Sequence, residues 1–171
     1  GTRKFSMFNL LHEIYFQLYR LFFNKRYINN MNFRSRTVSL SEASLIGYDN
    51  LECIFVHIPK TAGISITSGL FQNIGGSHRT IKNYLLYFNN KDFNNYYKFC
   101  FVRNPWDRLL SSYFFLKAGG LNETDANWAK KHLANCNSFE DFVTNYLEKD
   151  FVLDYIHFKP QFEFICINNK I

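Results

Sequence analysis

The stretch IFVHIPKTAGISI, residues 54–66, joins apolar, β-forming residues to a helix-compatible segment through Pro-Lys-Thr-Ala-Gly. The apolar run predicts a short buried strand at 53–58, and the residues after the turn predict a helix over about 63–73. In a parallel sheet, a strand-to-helix turn presents unpaired backbone N–H groups and the positive end of the helix dipole. The turn is therefore a candidate anion site, to which Lys60 adds a full positive charge.

The small side chains of this turn suit a phosphate or sulfate group. Gly63 allows the backbone to approach an oxyanion closely, and the hydroxyl groups of Thr61 and Ser65 are hydrogen-bond donors for phosphate oxygens. The alternative is an ordinary loop with a solvated lysine, because short Lys-Thr-Gly combinations are common. The turn alone leaves both interpretations open.

A second strand-to-helix turn favours the anion site. YYKFCFV, residues 96–102, predicts another buried strand, and Arg103 follows it where a P-loop ATPase would have a metal-binding carboxylate. The Gly-rich GxxxxGK[ST] loop of those ATPases is also missing from the turn at Lys60. The sequence therefore argues against a metal-dependent nucleotide hydrolase, and we expect no metal.

Arg103 has a suitable partner in Ser111, which lies eight residues later, about two helical turns on. Together they predict a second anion site beside the first, at the same edge of the sheet. Two such sites suit a nucleotide that is phosphorylated at both its 5′ and 3′ ends. The alternative is that Arg103 merely pairs with a carboxylate such as that of Asp107.

The rest of the chain continues the alternation of strands and helices. Pro105, Thr80 and Ser138 are typical of helix starts. EFICI, residues 163–167, predicts a third strand. Further helices are predicted near 80–88, 105–117, 124–135 and 138–148. This order implies parallel strands in an α/β fold, a three-layer sandwich with a short parallel sheet.

Length and composition indicate a single domain. The chain has 171 residues, of which 47% are hydrophobic, enough for one substantial core. We divide it into an N-terminal segment, 1–50, and a core, 51–171. The first segment comprises an amphipathic helix over 7–23 and a polar, Asn-rich linker over 24–50. A helix packed on the domain is favoured for 7–23, and peripheral membrane contact is the alternative.

Charge and cysteine content restrict the classes of binding partner and the cellular compartments to be considered. A net charge of +6 favours an anionic partner, but the basic residues form no continuous run, which disfavours nucleic acid. The four cysteines have neither metal-ligand spacing nor a dense disulfide pattern. They predict buried thiols in a reducing compartment. The bacterial cytoplasm is favoured, and the Golgi lumen is the alternative, since a trimmed luminal domain would look the same.

Three blocks of sequence, in this order, resemble a known family. HIPKTAGISI and FVRNPWDRLLSSYFFL are similar to the 5′-phosphosulfate and 3′-phosphate motifs of sulfotransferases that use 3′-phosphoadenosine 5′-phosphosulfate (PAPS). HFKPQFEFI, 157–165, is similar to a third block of the carbohydrate-type branch, which includes heparan sulfate 2-O-sulfotransferases and chondroitin sulfotransferases. The match covers roughly 52–167. It implies a P-loop-like sulfotransferase fold that transfers a sulfuryl group from PAPS to a hydroxyl of a carbohydrate or glycan-like acceptor.

The resemblance also implies roles for the matching residues. Arg103 and Ser111 would hold the 3′-phosphate of PAPS or of the product, 3′,5′-bisphosphoadenosine. Lys60 would stabilise charge on the departing phosphate. The rest of the 5′-phosphosulfate loop would be Thr61, Ala62, Gly63, Ile64 and Ser65.

Two departures from the family pattern support an alternative. Ile64 stands where the family commonly has a hydroxyl residue, and the family continues past EFICINNK into a further strand. A C-terminally truncated chain is therefore one expectation. The alternative function is a non-catalytic module that binds PAPS, another nucleotide or a polyanion with the sulfotransferase fold.

Sulfuryl transfer to a hydroxyl needs a base, and three histidines are candidates. His78 is preferred because imidazole titrates near neutral pH and GGSHRT predicts a loop that can face the site. A surface histidine beside the helix start at Thr80 is the alternative. His157 is the second candidate, whereas His57, inside a strand, is expected to be a hydrogen-bonded core residue.

Overall fold

A computed structural model describes residues 7–167 of the chain. Its sheet has two strands, β1 (Cys53–Phe55) and β2 (Tyr97–Phe99), which pair in parallel with Ile54 opposite Lys98. The helices of this part of the chain are α1 (Met7–Phe22), α2 (Asn24–Ser35), α3 (Ile46–Asn50), α4 (Gly63–Phe71), α5 (Ile81–Tyr84), α6 (Asn90–Asn95), α7 (Pro105–Lys117), α8 (Glu123–His132), α9 (Phe139–Asn145), α10 (Asp150–Leu153) and α11 (Gln161–Ile165). The mixed α/β class and the parallel pairing are confirmed.

Local capping signals place several helices where the sequence predicts them. Pro105 occupies the first turn of α7, and the Asn104 side chain accepts a hydrogen bond from the Trp106 N–H. The Ser138 hydroxyl accepts from the Asp141 N–H at the start of α9. Helix α5, Ile81–Tyr84, is shorter than predicted, although Thr80 is its N-cap as expected. Helices α4, α7, α8 and α9 are confirmed.

The predicted third strand is wrong. Residues 161–165 form helix α11, in which Phe164 is buried and Phe162 is exposed. A short apolar run has no period that separates a strand from a buried helix segment, and Pro160, just before α11, favours a helix start. The three-layer arrangement, which assumed this strand, stays a prediction.

The stretch 24–50, expected as a linker, contains helices α2 and α3. Its asparagines have low helix propensity, so local sequence favours a loop. Tertiary ion pairs stabilise α2 instead, because Arg34 Nη2 lies 2.6 Å from a carboxylate oxygen of both Asp49 and Asp92. The predicted domain division at residue 50 stays a prediction.

The described residues form two compact units. The first comprises 7–58, 62–101 and 162–167, and the second comprises 59–61 and 102–161. The core of the first unit is aromatic, with Tyr48, Phe55, Tyr84 and Phe88 fully buried. The buried core of the second unit consists of Tyr113, Leu116, Leu133, Cys136, Phe142, Val152 and Phe158.

Helix α1 is confirmed within the predicted 7–23 segment. It buries His12, Phe16 and Tyr19, while other apolar side chains along it, such as Leu18 and Leu21, are exposed. Between residues 7 and 167, none of the helices combines the length and apolarity that a bilayer crossing requires.

Candidate functional site

The structure brings Lys60 and Arg103, from the two predicted anion motifs, together in the second unit. Arg103 Nη1 donates a hydrogen bond to the Lys60 carbonyl oxygen over 3.4 Å. Burial lowers the pKa of Lys60, and the positive charge of Arg103 lowers it further. Because the positive charge of Arg103 disfavours the charged form of Lys60, an anion bound beside Lys60 would be stabilising.

The Lys60 side chain lies against an aromatic ring. Its Nζ is 4.0 Å from the centroid of the Phe115 ring, a cation–π contact. The Lys60 backbone has a φ of 67°, in the left-handed region that non-glycine residues rarely adopt. Such backbone strain is concentrated at ligand sites in proteins, and here it falls on the residue expected to contact the donor.

Sequence reasoning missed Arg108, which anchors the turn before Lys60. Its guanidinium is buried, with Nε donating to the Pro59 carbonyl oxygen over 3.0 Å and Nη2 donating to the His157 carbonyl oxygen over 3.2 Å. Burial lowers the pKa of Arg108 to about 10. The only signal for this role is its place in the motif RNPWDR, one turn into α7.

The two serines of α7 differ in their surroundings. Ser111, the predicted partner of Arg103, is half-buried in the second turn of the helix. Ser112 is fully buried, and its Oγ donates to the His157 carbonyl oxygen over 2.8 Å. Ser112 therefore has a structural role, in connecting α7 to His157. The phosphate contact of Ser111 stays a prediction.

His157, the second base candidate, belongs to a buried polar cluster. Its Nε2 lies 3.2 Å from Asp125 Oδ1, and both residues are buried. The Tyr155 hydroxyl donates to the same carboxylate oxygen over 2.7 Å. The His157 ring also lies 4.8 Å from Phe115, centroid to centroid, so the cluster backs the ring that Lys60 contacts.

The Asp125→Asn variant is expected to flatten the loss of stability in acid. Burial alone would raise the pKa of Asp125, but hydrogen bonds from Tyr155 and the Leu121 N–H, with His157, make it lower than usual. The carboxylate therefore stabilises the fold fully above its unfolded-state pKa of about 3.9, and this contribution is lost as pH falls through the folded-state value. Urea unfolding between pH 6 and pH 3 measures the difference.

The matched control for this experiment is Asp154→Asn, which removes an exposed carboxylate of the same unit. We expect its stability to follow the wild-type pH profile. Parallel profiles for wild type and Asp125→Asn would contradict the stabilising role of the Asp125 carboxylate.

In the first unit, Gly63 begins α4 and packs against His57. A Cβ atom at Gly63 would overlap the His57 ring, which is itself buried. The His57 ring centroid lies 4.4 Å from that of His78, and His78 Nδ1 is 3.3 Å from the His57 carbonyl oxygen. Packing against His57 therefore requires a glycine at position 63. This requirement is separate from the close approach of an oxyanion that the sequence predicts.

The remaining residues of the predicted 5′-phosphosulfate loop differ in exposure. Thr61 is buried, whereas the residues exposed to solvent are Ala62, Ile64 and Ser65. Ala62 is the N-cap of α4 and has a left-handed φ of 62°. Ile64 contributes an exposed apolar side chain where the family pattern has a hydroxyl.

Comparison with known proteins establishes the family. A model of the sulfotransferase family matches residues 48–171, well over half of the chain. The chain therefore belongs to the sulfotransferase family, which confirms that part of the sequence-based resemblance. Curated proteins and solved structures gave no significant match. Family membership supports sulfuryl transfer as the general activity.

Proposed function

We propose that this sulfotransferase transfers a sulfuryl group from PAPS to a hydroxyl of a carbohydrate or glycan-like acceptor. The observation that carries the proposal is the pairing of Lys60 with Arg103 through the 3.4 Å hydrogen bond. It links the residue expected at the 5′-phosphosulfate with the residue expected at the 3′-phosphate. The proposed fold is the P-loop-like, three-layer sandwich of PAPS-dependent sulfotransferases.

In this proposal the positive charge of Lys60 stabilises the leaving 5′-phosphate. Sulfuryl transfer, like loose phosphoryl transfer, depends mainly on positioning and on stabilising developing negative charge. Arg103 and Ser111 hold the 3′-phosphate. The 5′-phosphosulfate is held by Thr61, Ala62, Gly63, Ile64 and Ser65, where Ile64 offers only its backbone N–H.

His78 is the proposed base that removes the acceptor proton. Its ring contacts His57, which in turn packs on Gly63, the first residue of α4. His78 is half-buried, whereas His157 is buried next to Asp125. The partial exposure favours His78, because the base must reach a hydroxyl that comes from solvent.

The second candidate function is a non-catalytic module that binds PAPS or another nucleotide. It is favoured by Ile64, whose exposed side chain has no hydroxyl to donate to the phosphosulfate. Both functions require donor binding, and only the first requires turnover. For both candidate functions we propose a reducing compartment, because none of the four cysteines, all of which lie in the described part of the chain, forms a disulfide. The Golgi lumen is the alternative.

The test of the proposed function separates binding from transfer. We expect 3′,5′-bisphosphoadenosine, without magnesium, to raise the melting temperature of the full chain, and ATP to leave it unchanged. Radiosulfate transfer from PAPS to a mixed glycan pool is expected only for the enzyme. Stabilisation without transfer would favour the binding module, and a strict need for magnesium would contradict both.

A further inference from the structure

The third sequence block, HFKPQFEFI, takes no part in the proposed chemistry, yet its Gln161 contacts Arg103 directly. The Arg103 backbone N–H donates to Gln161 Oε1 over 3.0 Å, and Gln161 Nε2 donates to the Arg103 carbonyl oxygen over 2.9 Å. One side-chain amide therefore pairs with both main-chain polar groups of a single residue. Both residues belong to the second unit.

We call this pairing of the Gln161 amide with the Arg103 backbone the clamp. It acts at a residue whose backbone is not fixed by a strand or a helix. Strand β2 ends at Phe99 and helix α7 begins at Pro105, so Arg103 lies between them in neither a ladder nor a helix. Arg103 is also exposed, and its side chain makes a long hydrogen bond, 3.4 Å from Nη1 to the Lys60 carbonyl oxygen, which leaves the guanidinium considerable conformational freedom. Fixing its backbone restricts the directions in which the guanidinium can point, which lowers the entropic cost of binding an anion.

We propose that Gln161 is a positioning residue for the second anion site. By pairing with the Arg103 backbone, it directs the guanidinium towards the 3′-phosphate of the donor. The inference rests on the proposed function, because it takes the ligand to be a 3′,5′-bisphosphate. It gives the third block a role in recognising the 3′-phosphate, which distinguishes this donor from nucleotides phosphorylated only at the 5′ end.

The Gln161→Met variant tests the clamp, since methionine has a similar length but forms neither hydrogen bond. Calorimetric titration compares 3′,5′-bisphosphoadenosine with 5′-AMP, which lacks the 3′-phosphate. We expect bisphosphate binding to weaken about 5- to 30-fold, the worth of one or two hydrogen bonds. The affinity for 5′-AMP should stay within about twofold, because Gln161 acts only through Arg103.

A double-variant comparison separates positioning from a general structural role. Arg103→Ala is expected to remove the preference for the bisphosphate, and adding Gln161→Met to it should weaken binding no further. Gln161→Asn keeps the neutral amide but is one methylene shorter and bonds less well to the two Arg103 backbone groups, so an intermediate loss is expected with no change of charge. This second variant decides the matter if Gln161→Met does not fold. Gln17→Met, at an exposed position of α1, is the matched control and should bind as wild type.

The outcomes distinguish this inference from the proposed function. A wild-type chain that binds 5′-AMP as tightly as the bisphosphate would overturn both. A wild-type preference that survives intact in Gln161→Met would overturn only the role of Gln161. Equal weakening of both ligands in Gln161→Met would also overturn it, because that pattern indicates a general loss of structure.

Discussion

Replacing Lys60 by alanine is expected to lower kcat by about 10²- to 10³-fold, the usual cost of removing one group that stabilises transition-state charge. Binding of 3′,5′-bisphosphoadenosine should fall far less, because the 3′-phosphate contacts remain. The lysine is already held in place by its 4.0 Å contact with Phe115, so little reorganisation is needed for it to act. Radiosulfate transfer at saturating PAPS measures the loss.

The control for this prediction is Lys131→Ala, which removes the same charge from an exposed position on α8 of the same unit. We expect it to transfer sulfate at the wild-type rate. If Lys60→Ala kept full transfer, or if the two variants lost activity equally, Lys60 would have no specific role in stabilising the leaving group.

Replacing Gly63 by alanine is expected to reduce the free energy of unfolding by about 1–3 kcal/mol, the typical cost of overpacking a core. The added Cβ would overlap the His57 ring. That ring is buried and lies 4.4 Å from the His78 ring, so it has little room to move away. Urea denaturation of the two proteins measures the difference.

The same helix offers a control with the opposite sign. Gly69 also lies in α4, but a Cβ there meets no atom within 4 Å. Gly69→Ala is expected to stabilise the fold by about 0.5–1 kcal/mol, because alanine loses less backbone entropy than glycine in a helix interior. Equal stability changes in the two variants would show that the Gly63 effect is one of helix propensity rather than of packing.

The sequence predicts those parts of the fold whose signals are local. Helix α7 begins at Pro105 and α9 follows the cap at Ser138, so both could be located from a few residues. The parallel pairing of β1 and β2 follows from the helical crossover, α4 to α6, that separates them. Helix α2 could not be predicted in this way, because ion pairs of Arg34 with residues distant in sequence stabilise it.

In the candidate site, too, the residues with local sequence signals could be predicted and those held by distant contacts could not. Lys60 and Arg103 each follow a strand, so their proximity could be expected from the rule that parallel strands end at a common edge. Their supports, Arg108 and Gln161, could not be predicted, because each bonds to residues 49 or 58 positions away. The apolar pattern of 163–167 predicts a strand there, and no local signal points to Gln161, which lies just before it and acts through a polar side chain.

Arg108 has a consequence for how the second unit is connected. One guanidinium closes two loops, to Pro59 and to His157, each spanning 49 residues of chain. Closing long loops costs chain entropy that the contacts of the folded unit have to repay. The turn that carries Lys60 is therefore connected, through one side chain, to a residue nearly a hundred positions downstream, so a change near His157 can displace the turn without touching it.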